Sequence, residues 1–224
     1  MRQLIAHPWI ALFALCVLVF SIWPSIDIST SRFFYDPARG FYLGDGWWAR
    51  FFYHLLGLKA LTLIAAFGLL LAGAFFLRHN GRLWRWRIVY LFLVLLAGPG
   101  LLVNALLKDH WGRARPHQIV EFGGTARFTP ALVPSRECAR NCSFASGHAA
   151  LGFYPVSLGF VFPGRRRQWL AAGLGLGGIG GYFRIVQGAH FLSDVVFAFF
   201  AVYGTAALTH RILRRRLAPV EAKT

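Results

Sequence analysis

Charged residues are scarce in this sequence. They form 14% of the 224 residues, whereas an ordinary soluble domain has roughly a quarter, so the composition argues against a soluble globular protein. Acidic residues are especially few, with 8 Asp and Glu against 24 Lys and Arg, and there are only three cysteines. Hydrophobic residues make up 57%, aromatic residues 17%, and the mean hydropathy is +0.52. A disordered chain, a collagen-like fibre and a disulfide-rich miniprotein are therefore excluded as well, and a polytopic membrane protein remains.

The net charge of +16 would favour a nucleic-acid partner in a soluble protein, because basic residues release counterions from phosphates. Here many of the arginines lie between apolar runs, and no basic stripe is interleaved with aromatic residues on a polar segment. Positive charge in that position sets membrane topology. We therefore expect no nucleic-acid partner.

Six apolar stretches predict transmembrane helices. They cover residues 4–23, 60–77, 88–107, 149–163, 168–182 and 191–209. A hydrocarbon core of about 30 Å needs about 20 residues per helix, so the fourth and fifth stretches are short. We expect them to extend into the polar segments beside them or to end below the membrane surface. The prediction is an all-α, polytopic membrane protein, with a single domain over residues 1–224 built as a bundle of six transmembrane helices.

The distribution of basic residues predicts the orientation. With the amino terminus in the cytoplasm, that side holds more than half of the 24 Lys and Arg residues but a single acidic residue, Glu221. This bias favours cytoplasmic N and C termini. The first stretch has no small-x-small cleavage site at its end, so we interpret it as a retained signal anchor. Segments 24–59 and 108–148 then face outward.

Two cysteines lie in the second outward segment. Cys138 and Cys142 are four residues apart, and in an oxidising compartment such a pair predicts a disulfide. Two alternatives stay open. One is a pair of free thiols, and the other is half of a zinc site completed by His110 or His117, although zinc needs four ligands and only two thiolates are offered.

The glycine-rich run 173–178 matches the dinucleotide pattern Gly-x-Gly-x-x-Gly only formally. That fingerprint needs a preceding strand and an acidic residue about 20 positions later. Here the run lies inside an apolar helix and continues as Gly177-x-x-x-Gly181. We interpret these glycines as helix-packing residues.

Cations and histidines concentrate in three segments at span ends that face outward. The segments are residues 108–116, 146–148 and 184–194. If these ends converge, the cationic side chains would bind phosphate oxygens, and backbone N–H groups at a helix N-terminus would add further donors. The candidate phosphate ligands are Lys108, Arg115, Ser146, Gly147 and Arg184.

Two histidines and one aspartate provide groups for proton and phosphoryl transfer. His190 and Asp194 are four residues apart and share a helix face, so the carboxylate can accept from one imidazole nitrogen and leave the other free to attack phosphorus. His148 lies on a different helix and is the candidate general acid for the leaving group. Other nearby side chains are either substrate contacts or solvated loop residues. These are Asp109, His110, Arg113 and His117.

The three segments resemble the signature of the type 2 phosphatidic acid phosphatase superfamily, which reads Lys-x6-Arg-Pro, Pro-Ser-Gly-His and Ser-Arg-x5-His-x3-Asp. Ala145 and Phe183 depart from it, because they replace the usual proline and serine, but neither change removes a charged or proton-transferring group. The matching residues are Lys108, Arg115 and Pro116, then Ser146, Gly147 and His148, then Arg184, His190 and Asp194.

The resemblance implies a six-helix bundle, a histidine nucleophile, no metal and no other cofactor. It implies a phosphorylated membrane lipid as substrate and no obligate protein partner. Segments 122–124 and 138–148 resemble bacterial lipid A phosphatases, which remove the 1- or 4′-phosphate at the outer face of the inner membrane. The expected location is therefore the bacterial inner membrane, with the active site facing the periplasm.

Four alternatives stay open from the sequence. Phosphatidylglycerophosphate and undecaprenyl pyrophosphate phosphatases share the same catalytic residues. A phosphotransferase would pass the phosphoryl group from one lipid to another through the same histidine. A lipid-binding or transport protein with a vestigial site is the non-enzymatic alternative, although His148, His190 and Asp194 are all retained.

Overall fold

The computed structural model describes residues 6–47, 51, 60–76 and 81–217, which form helices and loops without a strand. Labelled in chain order, the helices of this part are α1 (Ala6–Ile22), α2 (Ser25–Arg32), α3 (Ala60–Phe76), α4 (Gly81–His110), α5 (Gly147–Phe153, continued by Tyr154–Ser157 and Leu158–Val161), α6 (Arg166–Val186) and α7 (Leu192–Leu217). Short 3-10 turns cover Tyr42–Asp45, Pro116–Gln118, Val120–Phe122 and Pro163–Arg165. The predicted all-α class is confirmed for these residues. Parts of the predicted first two spans (residues 4–5 and 77) and Glu221 lie outside the described ranges.

Three segments are long and apolar enough to cross a membrane. They are Gly81–His110, Pro163–Val186 and Leu192–Leu217. Helices α1 and α2 provide a fourth span if they are counted as one helix bent by 82°. The bend occurs at Pro24, which has no N–H to continue the hydrogen bonding of α1. The described residues thus give three to four candidate spans, and the six-helix count stays a prediction.

The two short predicted spans differ in the structure. The stretch 168–182 lies within α6, which extends beyond it at both ends over Arg166–Val186, as expected. The stretch 149–163 falls on α5, which is interrupted by a 3-10 turn at Tyr154–Ser157. Pro155 in this turn cannot donate a backbone hydrogen bond, so α5 is a pair of short helical pieces.

Helix α6 packs closely against its neighbours through glycines. A Cβ at Gly173 would lie 2.4 Å from the side chain of Val156, and a Cβ at Gly177 would lie 2.1 Å from the ring of Phe153. Both neighbours belong to α5. The interpretation of the glycine run as a helix-packing surface is therefore confirmed at these two positions, while Gly175 has no neighbour within 4 Å of such an atom.

Helix α7 lies at the centre of the largest apolar cluster. Its residues Phe197, Phe199 and Val202 are buried with Phe153 of α5 and Phe20 of α1. A smaller cluster joins Phe191, at the start of α7, to Ile119 and Phe122 in the loop between α4 and α5. This second cluster fixes the long loop on the end of α7, where the three predicted segments lie.

Candidate active site

The ends of α4, α5 and α7 meet at one site. The backbone N–H of Cys142 donates to the carbonyl of Lys108 (2.9 Å), and that of Ser143 donates to the carbonyl of Arg113 (2.8 Å). The loop before α5 therefore runs along the end of α4. The same loop contacts α7, because the N–H of Ser146 donates to the carbonyl of Asp194 (3.2 Å). The three predicted segments are brought together by these bonds.

His190 lies in the turn between α6 and α7, which depends on Gly188. This glycine has a φ of +61°, and a Cβ there would lie 2.3 Å from the ring of Phe41. The N–H groups of Ala189 and His190 donate to the carbonyl of Arg184 at 3.0 and 3.3 Å. The turn therefore holds Arg184 and His190 close together.

The imidazole of His190 is fully buried and has a defined tautomer. Its Nδ1 lies 2.7 Å from the backbone carbonyl of Ser143, and because a carbonyl can only accept, Nδ1 carries the proton. Nε2 then has the lone pair, and this buried atom has no hydrogen-bond partner among the described residues. Burial lowers the pKa of His190 to about 4, which the charges of Arg184 and Lys108 reinforce and Asp194 opposes. The group is therefore neutral at pH 7, as a nucleophile requires.

Asp194 lies beside His190 but is held by other partners. One carboxylate oxygen accepts from the guanidinium of Arg113 (2.5 Å), and the other accepts from the Ser143 hydroxyl (2.5 Å) and the Phe191 N–H (2.8 Å). The distance from that second oxygen to Nδ1 of His190 is 3.7 Å. The expected hydrogen bond from the imidazole to Asp194 is thus replaced by one to the carbonyl of Ser143, and Ser143 contacts both groups.

The three cationic candidates lie at or just after the ends of α4 and α6. Lys108 is half-buried at the end of α4. Arg115 donates from Nη2 to the carbonyl of Asn141 (2.8 Å), and Arg184 donates from Nη1 to Oε1 of Gln187. These contacts fix the guanidinium groups of both arginines at the site.

The start of α5 contributes small residues and a second histidine. The hydroxyl of Ser146 caps the helix by accepting from the N–H of Ala149 (3.5 Å). At Gly147 a Cβ would lie 2.6 Å from Oδ1 of Asn104, so a larger residue there would displace the Asn104 side chain. His148 is half-buried in the first turn of α5, beside these two residues.

A family match accompanies this geometry. Residues 86–218, more than half of the chain, match the PAP2 superfamily. The chain belongs to the PAP2 superfamily. The resemblance predicted from the three motifs is therefore confirmed, and all nine motif residues lie within the matched range.

Relatives of this PAP2 chain are named lipid A 4′-phosphatase. One from Francisella tularensis subsp. novicida is 34% identical over 209 residues, which cover 89% of this chain and 91% of the relative. One from Rhizobium leguminosarum is 45% identical over 103 residues, covering 46% of this chain and 44% of the relative. One from Rhizobium etli is 43% identical over 102 residues, covering 45% and 40%. No solved structure matches the chain.

Together the PAP2 family and its named relatives establish the class of enzyme. The protein is a membrane lipid phosphatase, a phosphoric monoester hydrolase, as the motifs predicted.

The structure corrects the interpretation of Arg113 as a substrate contact. Its side chain is fully buried and forms ion pairs with Asp27 (2.7 Å) and Asp194 (2.5 Å). Its Nε donates to the carbonyl of Thr129 (2.9 Å), and its guanidinium lies over the ring of Phe191, 4.2 Å from the centroid. All three guanidinium nitrogens of Arg113 therefore donate hydrogen bonds to groups inside the protein.

The other three accessory candidates also bind the protein's own backbone. Oδ1 of Asp109 accepts from the N–H of Asn141 (3.1 Å). Nδ1 of His110 lies 3.1 Å from the carbonyl of Ala105 in the preceding turn of α4, and Nδ1 of His117 lies 2.8 Å from the carbonyl of Gly188. Their contacts stabilise the loop around the site, and a role toward substrate stays a prediction.

Cys138 and Cys142 form a disulfide, with a Cα–Cα distance of 5.7 Å. Both sulfurs are bonded to each other, so these cysteines do not supply the thiolates of the alternative zinc site. Within the described ranges, no group of three or more His, Cys, Asp or Glu side chains could hold a metal ion.

Three residues at this site were missed by the sequence analysis. Asp27, Ser143 and Ser193 all hydrogen-bond to the buried charges next to His190. The signal for Asp27 was its rarity, since the chain has only 8 acidic residues and this one follows an apolar stretch. The serines carry no comparable signal, because the residue type is common at helix ends.

Proposed function

We propose that this protein removes the 4′-phosphate of lipid A at the periplasmic face of a bacterial inner membrane, by way of a phosphohistidine at His190. The observation that carries the mechanism is the tautomer of His190, whose Nδ1–H donates to the carbonyl of Ser143 and whose Nε2 is left with its lone pair. The proposed substrate follows from the named relatives, since one match covers 91% of a protein named lipid A 4′-phosphatase.

The reaction has two displacements at phosphorus. In the first, Nε2 of His190 forms a bond to phosphorus while the ester P–O bond breaks, and the bonding electrons leave with the sugar oxygen. His148 donates a proton to that oxygen, so the lipid departs as an alcohol. In the second, a water attacks phosphorus and gives a proton to His148, while the P–N bond breaks and its electrons return to Nε2. Inorganic phosphate is released, and His190 and His148 are both restored.

The cations stabilise the charge of both transition states. Phosphoryl transfer spreads negative charge over three equatorial oxygens, and fixed donors lower the barrier because they do not reorganise during the reaction. Lys108, Arg115 and Arg184 are assigned to these oxygens, with further donors from Ser146 and Gly147 at the start of α5.

The same proposal assigns the orientation. The six predicted helices form the bundle, both termini lie in the cytoplasm, and the site faces the periplasm. Two features support this arrangement: the site lies at the opposite helix ends from the clusters Arg165–Arg167 and Arg214–Arg216, and the disulfide suits an oxidising compartment.

The test uses the full chain purified in detergent. Lipid A carrying both phosphates, phosphatidylglycerophosphate, phosphatidic acid and undecaprenyl pyrophosphate are each supplied, and the lipid products are identified by mass spectrometry. We expect selective loss of the 4′-phosphate of lipid A, and no release by His190→Ala or His190→Gln protein that is still folded. Activity of either variant near wild type would overturn the nucleophile, whereas preference for another lipid would overturn only the substrate.

The covalent intermediate can be trapped separately. With lipid A radiolabelled in its phosphate, rapid quenching into alkali should leave label on the protein, and acid should remove it, because phosphohistidine is stable in base and labile in acid. Label that persists in His190→Gln would contradict the proposal. An added acceptor lipid that becomes phosphorylated would show that the intermediate is used for transfer instead of hydrolysis.

A further inference from the structure

A buried chain of charges connects α2 to the reacting histidine. We infer that Asp27 is a positioning residue for His190, acting through Arg113, Asp194 and Ser143. The inference rests on the proposed role of His190 as nucleophile. It adds a residue outside the three motifs, 163 positions before the histidine in the sequence.

The first link joins Asp27 to α7 and to Arg113. Oδ2 of Asp27 accepts from Nη2 of Arg113 (2.7 Å) and from the hydroxyl of Ser193 (2.5 Å), and Oδ1 accepts from the backbone N–H of Ser193 (2.9 Å). The carboxylate is 1% exposed, and each contact here comes from a donor, as an ionised carboxylate requires.

The second link is the guanidinium of Arg113. Its Nη2 is held by Asp27 and its Nε by the carbonyl of Thr129, so the plane of the group is fixed from two sides. Nη1 then donates both to Asp194 (2.5 Å) and to the hydroxyl of Ser193 (2.9 Å). The guanidinium is planar and rigid, so without Asp27 the whole group could rotate, and its hydrogen bond to Asp194 would weaken.

The third link reaches the imidazole. Asp194 accepts the hydroxyl of Ser143 at 2.5 Å, and this fixes the peptide whose carbonyl accepts from Nδ1 of His190 at 2.7 Å. Displacing Asp194 would therefore move the carbonyl that sets both the tautomer and the direction of Nε2. A misplacement of about 1 Å in a reacting group can cost on the order of 100-fold in rate.

The buried charges can also stabilise the positive charge that forms on the imidazole of His190. When Nε2 bonds to phosphorus, positive charge grows on the imidazole, and the buried carboxylate of Asp194 lies 3.7 Å from its Nδ1. Asp27, Arg113 and Asp194 together bury two acidic groups against one basic group. Of these, the carboxylate of Asp194 lies beside the ring, so it favours the phosphorylated, cationic form and opposes the contrary effect of Arg184 and Lys108.

The test compares Asp27→Asn with Ser31→Ala. Ser31 lies one turn further along α2, is fully buried, and its hydroxyl has no hydrogen-bond partner among the described residues, so its removal controls for packing on this helix. Asp27→Asn keeps the shape of the side chain and removes its charge. We expect kcat to fall about 10- to 100-fold, because a misplacement of about 1 Å in a reacting group can cost on the order of 100-fold in rate, with KM within about twofold of wild type. Ser31→Ala should keep the wild-type kcat.

A double-variant comparison separates positioning from general structure. If Asp27 acts through Asp194, then Asp27→Asn should change kcat by less than about twofold when Asp194→Asn is already present. A loss of the same size in both backgrounds, or a wild-type kcat in folded Asp27→Asn protein, would overturn the inference. If Asp27→Asn does not fold, Ser193→Ala replaces it, because it removes the hydroxyl between Asp27 and Arg113 and keeps every charge. Wild-type kcat in Ser193→Ala would then overturn it.

The outcome is independent of which lipid is the substrate. If the wild-type protein releases no phosphate from lipid A, the proposed substrate fails, and the same variants are compared on whichever phosphate ester it hydrolyses. If His190→Ala keeps its activity on that ester, the proposed nucleophile fails first. If the activity depends on His190, the kcat of Asp27→Asn relative to the wild type tests the positioning role.

Discussion

At His190 a single backbone carbonyl decides which nitrogen can react. The carbonyl of Ser143 accepts from Nδ1, so the neutral ring must present its lone pair at Nε2. Burial adds the second requirement, because removal from water penalises the protonated ring. A nucleophile that is neutral and correctly oriented before substrate arrives does not have to lose a proton during the reaction.

The first prediction concerns this protonation state. Because burial lowers the pKa of His190 to about 4, the ring should stay neutral as the pH falls from 8 to about 5 and gain a proton only near pH 4. Nitrogen NMR of histidine-labelled protein in detergent would show an Nδ1–H tautomer over that range, assigned by the signal missing in His190→Gln. A midpoint near 6.5, the ordinary value for histidine, or a proton on Nε2 would contradict it.

The second prediction concerns Arg113. Replacement by alanine leaves Asp27 and Asp194 buried without their shared cation, and unpairing a buried ion pair typically costs about 3–5 kcal/mol. Arg113→Ala should therefore unfold at clearly lower temperature in detergent. The exposed Arg127 in the same loop provides the control, and Arg127→Ala should unfold like the wild type. Equal unfolding temperatures for both variants would show that the buried pairs contribute little.

Among the elements, α5 and α6 pack closely because glycines of α6 have no side chain where the two helices meet. Gly177 faces the ring of Phe153, and Gly175, two residues earlier, faces open space. The third prediction follows from this difference. Gly177→Ala should destabilise the protein by about 1–3 kcal/mol through overpacking, whereas Gly175→Ala should be neutral or slightly stabilising. Thermal unfolding of the two variants side by side measures this, and equal effects would exclude close packing as the reason for the glycine.

The disulfide loop is a second element with a testable role. Asn141 lies between Cys138 and Cys142, and its carbonyl accepts from Arg115, an assigned phosphate ligand. The fourth prediction is that replacing both cysteines by serine lowers kcat/KM several-fold, because Arg115 loses a fixed partner. Reductant should affect the wild type in the same direction and leave the double variant unchanged. A reductant effect on the double variant would place the sensitivity elsewhere.

Helices and motif residues could be predicted from the sequence because their signals are local. Apolar runs determine α4, α6 and α7, and the short spacings within the three motifs single out Lys108 and Arg184. The network behind His190 could not be predicted in this way. The hydrogen bond from Ser193 to Asp27 joins residues 166 positions apart, and the spacing of these residues in the sequence does not predict it. Arg113 was placed on the surface for the same reason, because its buried partners lie far away in the sequence.

At the scale of the whole molecule, the described helices are polarised in charge. The candidate catalytic residues lie where α4 and α6 end and α7 begins. The arginine clusters lie at the other ends, in the first turns of α4 and α6 and in the last turns of α7. A bundle with its arginine clusters at one end and the candidate site at the other has one favoured orientation under the positive-inside rule.

The fifth prediction tests that orientation with single cysteines. Cys16→Ala removes the free thiol and the native disulfide is kept, so a cysteine introduced at Val120 or at Arg214 is the reactive group. Val120 is 63% exposed in the loop between α4 and α5, and Arg214 is exposed near the end of α7. A thiol reagent that reaches the periplasm but does not cross the inner membrane should label Val120→Cys in intact cells and Arg214→Cys only after lysis. The opposite pattern would put the site in the cytoplasm, where only lipids of the inner leaflet could reach His190, and would overturn the proposed action at the periplasmic face while leaving the chemistry of the site unchanged.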